Sequence, residues 1–186
     1  MKSLRKMDNL CHSLSIMQGR LFERSVEHLI PSYYFIKSFM LSEEAMALDE
    51  LDLEKAGITE VEIFNSINTK IDTKRGTLLP YPIIHYIGYF YRSASYLYNL
   101  SSKYLFKHIP VKSIISSYDA LHSLPIEEAI NDMLSIHKVD IKTKEEQFNE
   151  EFKKQFKRIG IAKKELDGFV LTLEDFDSIP IEKFDK

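Results

Sequence analysis

The sequence predicts an all-α protein, an irregular helical bundle around a central aromatic helix, followed by a C-terminal amphipathic helix and a short extended acidic tail. Three observations predict it. Apolar side chains recur at spacings of three and four through most of the chain, which gathers them on one face of a helix. Prolines and capping residues stand at the breaks between these patterns. Finally, Pro80 to Leu100 is apolar or aromatic on nearly every face, as a helix surrounded by others must be.

Taken in order, Leu4, Met7, Leu10, Leu14, Met17 and Leu21 predict an amphipathic opening helix, continued through Phe22, Val26, Leu29 and Ile30 as far as Pro31. A second helix carries Tyr34, Phe35, Ser38 and Phe39. Ser42 before Glu43 and Glu44 reads as a helix start, because a hydroxyl caps free amides and carboxylates complement the positive end. Gly57 breaks that pattern, and Thr59 caps a helix through Val61, Ile63, Phe64 and Ile67. NTKIDTKRGTLLP is a polar loop. In the central segment that follows, Gly88 and Ser93 to Ser95 offer points of close approach. Three short helical patterns come next, with Pro110 and Pro125 marking two of their starts. The helical body, residues 1–136, ends near Ile136.

Residues 137–186 form the second region. Thr143 and Glu146 stand in capping-box spacing, Gly160 is a stop, and Phe148, Phe152, Phe156 and Ile159 make one narrow stripe. After Gly168, FVLTL alternates like a short strand. From Glu165 to Lys186 there are seven acids against two lysines; the chain's net charge is −3, so the body carries about +2.

Composition narrows the function classes. A chain of 186 residues with 44% hydrophobic and 28% charged residues should bury one core. The longest apolar runs are interrupted by Lys37 and His85 and fall short of the roughly 20 residues of a membrane span, so no membrane segment is expected. A single cysteine, Cys11, and no secretory leader point to the cytoplasm. The six histidines include no pair at spacing four, the glycines are isolated, and there is no nucleophile elbow. No metal, cofactor or catalytic residue is therefore expected.

Two surfaces remain as candidates. Between Arg92 and His122, the cations Arg92, Lys103, Lys107 and Lys112 outweigh Asp119, and SSKYLFKHI followed by PVKSIISSYDALH has the outline of a helix-turn-helix that would contact DNA. The other is the C-terminal region. Phe148, Phe152, Phe156 and Ile159 would dock its helix on a partner. Phe169, Leu171 and Phe176 would then seat in the partner's groove while Glu174, Asp175 and Asp177 meet basic residues.

FMLSEEAMALD (Phe39 to Asp49), YIGYFYR (Tyr86 to Arg92), LSSKYLFK (Leu100 to Lys107) and HSLPIEEAI (His122 to Ile130) resemble, in order and spacing, a group of uncharacterised small helical bacterial proteins associated with toxin-antitoxin-like gene pairs. The match runs from Phe39 to Leu134. It departs at Ser93 and Ala94, where the group has tyrosine and tryptophan, and at Pro125 and Ile126, where it has Asp-Pro. The resemblance implies that Arg92, Lys103 and His122 serve the fold or a partner, with Asp49, Asp119 or Asp132 as acceptors in a polar network that fixes helix register. It also implies an antitoxin or inhibitor that blocks a toxin-like enzyme encoded nearby, mainly through its C-terminal helix and tail. A DNA-binding regulator is the alternative.

Overall fold

The computed structural model describes residues 5–53, 59–69, 71, 76–139 and 141. The chain falls into two units, Met1–Ile141 and Lys142–Lys186. The second lies outside the described residues, and with it the expected amphipathic helix, the FVLTL strand and the acidic tail.

The described residues are all-helical. Their nine helices are α1 (Asn9–Glu27), α2 (Ser32–Met40), α3 (Glu43–Asp49), α4 (Glu60–Asn68), α5 (Tyr81–Tyr98), α6 (Ser102–His108), α7 (Val111–Ser116), α8 (Tyr118–Leu121) and α9 (Ile126–Ile136). Among them no helix is long and apolar enough to cross a membrane.

Local chemistry sets the helix starts. Ser42 Oγ accepts the Ala45 N–H at the head of α3, and Thr59 and Glu62 form a reciprocal capping box on α4. Prolines 31, 80, 110 and 125 stand immediately before α2, α5, α7 and α9. At α1 the start differs from the expected stripe: Asp8 caps Cys11 N–H at 2.7 Å, so the helix begins at Asn9, and Leu10 is left 42% exposed. The face that α1 buries includes Ser15, Gln18, Gly19 and Ser25, small and polar residues that apolar spacing overlooks.

Helix ends repeat one device. After α1, Leu29 N–H donates to Val26 O and Ile30 N–H to Ser25 O, with Leu29 at φ 57°. This is a Schellman closure that uses leucine where glycine is usual. Lys138 (φ 49°) and Val139 repeat both hydrogen bonds after α9. After α5 the left-handed residue is Asn99 (φ 52°), and Leu100 N–H reaches Ser95 O. In these three the residue beyond is a buried apolar one, Ile30, Val139 or Leu100, whereas after α3 Leu51 (φ 62°) makes the same closure with exposed Asp52 beyond it.

α5 packs antiparallel along α1, as the pairs Tyr96–Asp8, Ser93–Ser15, Arg92–Gln18 and His85–Glu23 show. The crossing is tight because small residues line it. A Cβ on Gly88 would fall 2.9 Å from Gly19 Cα, and a Cβ on Gly19 would strike the His85 ring, which lies flat on it. Beside this pair, Phe22 meets Phe39 and Phe35 edge-on at 5.4 and 5.9 Å, and Phe35 meets Phe64 at 5.6 Å, joining α1, α2 and α4. α5 is central as expected, yet not enclosed all round: Tyr81 is 46% exposed, and His85, Tyr86 and Tyr89 are half-buried.

Candidate functional site

Arg92, expected to contact DNA, is 1% exposed and so cannot belong to a phosphate-binding surface. Its guanidinium is spent inside the protein. Nη1 donates to Asp49 Oδ1 at 2.7 Å, Nε to Gln18 Oε1 at 2.8 Å and Nη2 to Ser102 Oγ at 3.2 Å. Asp49 Oδ1 also accepts the hydroxyls of Ser95 (2.8 Å) and Ser102 (2.7 Å), and Oδ2 takes the Ser102 backbone N–H at 2.7 Å. Gln18 in turn contacts Met40 Sδ at 3.8 Å. One buried charge pair thereby joins α3, α5 and α6 to α1 and α2. Of the three acids offered as acceptors, Asp49 takes Arg92, while Asp119 and Asp132 are exposed. A buried arginine demands this completeness, because an unpaired charge would cost several kcal/mol or more.

The other three cations of that segment behave differently. Lys103, Lys107 and Lys112 are exposed on α6 and α7. The helix-turn-helix outline is only partly present: the second stretch breaks at Ser117, leaving α7 six residues long with Val111 and Ile114 buried.

Lys107 and Lys112 stand on a groove of about 650 Å³ between the start of α2, residues 76–79 and the α6–α7 corner. Tyr33 (53% exposed) and Tyr34 (44% exposed) meet edge-on at 6.0 Å, and Tyr33 is 6.2 Å from Phe106, so three rings form one wall. Val111 and Ile115 add aliphatic surface. The groove is held open by backbone ties: Ser32 N–H donates to Thr77 O at 3.1 Å, and Leu79 N–H donates to Ser32 Oγ at 2.9 Å. Below it, Tyr91 OH donates to Ile109 O at 2.6 Å and fixes the corner to α5.

Phe148, Phe152, Phe156, Ile159, Phe169, Leu171, Glu174, Asp175, Phe176 and Asp177 all lie outside the described residues. The three rings of the groove were not expected as a site. Paired tyrosines after Pro31 and Ser32 are the signal that could have marked it, since aromatic residues at a helix start point outward when the next turn carries the core residues Phe35 and Ile36.

Among the described residues no group of three or more histidine, cysteine, aspartate or glutamate side chains is placed to hold a metal. Cys11 is fully buried, and burial pushes its thiol up to about 11, a direction that suppresses thiolate chemistry. Comparison of the chain with protein-family models, curated proteins and solved structures found no match.

Proposed function

We propose that this chain is a partner-binding protein of the antitoxin or inhibitor type, which neutralises a toxin-like enzyme by holding it rather than by chemistry of its own. The observation that carries the reading is the groove: three adjoining aromatic rings, two of them about half exposed, beside Lys107 and Lys112. Tyrosines on a rigid helix give large contact area at low entropic cost, and they are enriched among residues that dominate interface energies. Two lysines at the rim favour an acidic segment with apolar anchors as the occupant. The acidic, aromatic sequence from Glu165 to Lys186 supplies a second binding element, suited to a basic cleft on the same partner.

Co-expression with the product of the adjoining gene is the test. The reading expects that gene to be poisonous alone and harmless with this chain, and it expects the two products to co-purify. A harmless neighbour that never co-purifies would refute it.

A DNA-binding regulator is the second reading, favoured by the exposure of Lys103, Lys107 and Lys112 on consecutive helices. It expects binding to the upstream DNA that weakens steeply with salt and is lost on substitution of Lys103 and Lys112.

A further inference from the structure

A second cleft, about 710 Å³ and on a different set of residues, opens where the exposed edge of α5 faces α8. Its walls are rings. Tyr86 and Tyr118 stand edge-on with centroids 5.5 Å apart and planes at 79°, forming a corner of two nearly perpendicular faces. His122 stacks on Tyr118 at 4.7 Å and 11°, locked there by its Nδ1–H, which donates to Tyr118 O at 2.8 Å. Tyr81 and Tyr89 lie one turn either side of His85 along the same edge and line the cleft with it.

One carboxylate enters this aromatic space. Glu23 of α1 accepts His85 Nδ1–H at 3.1 Å, and the His85 ring rests flat on Gly19, one turn before Glu23. His85 is thereby held against α1 and holds the acid. His85 is the partner of this carboxylate, and neither lysine nor arginine lines the cleft among the described residues. The Tyr86 hydroxyl is buried without a hydrogen-bond partner among the described residues.

We propose that this cleft binds an organic cation, specifically a methylated or quaternary ammonium group. The ring faces present the negative side of their quadrupoles to such a cation, and Glu23 balances its charge. An anion would meet the carboxylate and no lysine or arginine among the described lining residues. A neutral apolar ligand would gain the rings but not the acid. The ammonium group can come as a free small molecule or on a methylated lysine of another polypeptide, and the chemistry at the cleft is the same.

The experiment is a proton NMR titration of the full chain with choline, with a short trimethyllysine peptide and with 3,3-dimethylbutan-1-ol, the neutral isostere of choline. At least one cation should show a saturable upfield shift of its N-methyl resonance from the ring faces, with the neutral alcohol about tenfold weaker than choline when choline is the ligand. Response to choline assigns a free small molecule, and response to the peptide alone assigns a modified polypeptide. Glu23→Gln keeps an acceptor for His85 and should weaken cation binding about tenfold with an unchanged circular dichroism spectrum. No saturable shift with either cation would overturn the proposal, as would equal binding of the alcohol and choline, or full affinity in Glu23→Gln.

Discussion

Gly88 of α5 lies so close to Gln18 of α1 that a Cβ at position 88 would stand 2.6 Å from the Gln18 carbonyl oxygen. Backbone cannot yield as the end of a side chain can. Gly88→Ala should therefore push the two helices apart and lower stability by about 1–3 kcal/mol, despite alanine's better helix propensity. Urea denaturation measures this. A stability equal to or above that of the parent would show that the crossing is looser than the structure has it.

The same crossing sets Arg92 against Gln18 and Asp49, and that cluster makes a sharper prediction. Asp49→Ala leaves the guanidinium buried beside uncharged neighbours and should cost about 3–5 kcal/mol, as should Arg92→Met through the stranded carboxylate. The double variant should lose much less than the sum of the two. A double-mutant cycle by denaturation reads the coupling, and additive losses would deny that the pair acts as a unit.

Leu29 gives a prediction of the opposite sign. It is 74% exposed and held at φ 57°, a conformation that costs a residue with a Cβ about 1–2 kcal/mol. Leu29→Gly should keep the Schellman closure and raise stability by roughly 1 kcal/mol, net of the greater freedom of glycine in the unfolded chain. Thermal unfolding is the check, and a lowered midpoint would mean that the leucine makes contacts that outweigh its backbone.

These positions also show what can be read without coordinates. Helix starts are legible because their causes are local: Ser42 and Thr59 cap amides that directly follow, and Pro80, Pro110 and Pro125 fix their own φ and bring no amide to be satisfied. Helix ends at Leu29 and Lys138 are not, since their left-handed residues are stabilised by tertiary burial of Ile30 and Val139 rather than by a glycine. Arg92 illustrates the same division. A cation after aromatic residues announces a buried acceptor, but three acids qualified on chemistry, and only the packing of α3 against α6 selects Asp49. The groove was hidden because residues 31–34, 76–79 and 106–115 are far apart in sequence and meet only after folding.

Asp8 connects stability to pH. Its carboxylate accepts Cys11 N–H and Tyr96 OH at 2.7 and 2.6 Å, and the Cys11 amide bond, then the Tyr96 bond, hold its pKa below the ordinary 3.8. A depressed folded-state pKa stabilises the protein above the unfolded value, and the stabilisation is lost as pH falls from about 3.8 through the lowered value. Asp8→Asn should therefore lose stability at neutral pH and show a shallower decline between pH 4 and 2 than the parent. Parallel acid titration curves for the two proteins would contradict this.

The partner-binding account rests on the aromatic groove with its two lysines, and the most direct measurement is the affinity of the co-purified partner for a groove variant. Lys107→Glu combined with Lys112→Glu changes only exposed side chains and should leave the fold and melting temperature intact. The account predicts that this variant binds the partner at least tenfold more weakly by calorimetry, through contacts independent of residues 142–186. Unchanged affinity in the doubly reversed protein would contradict it.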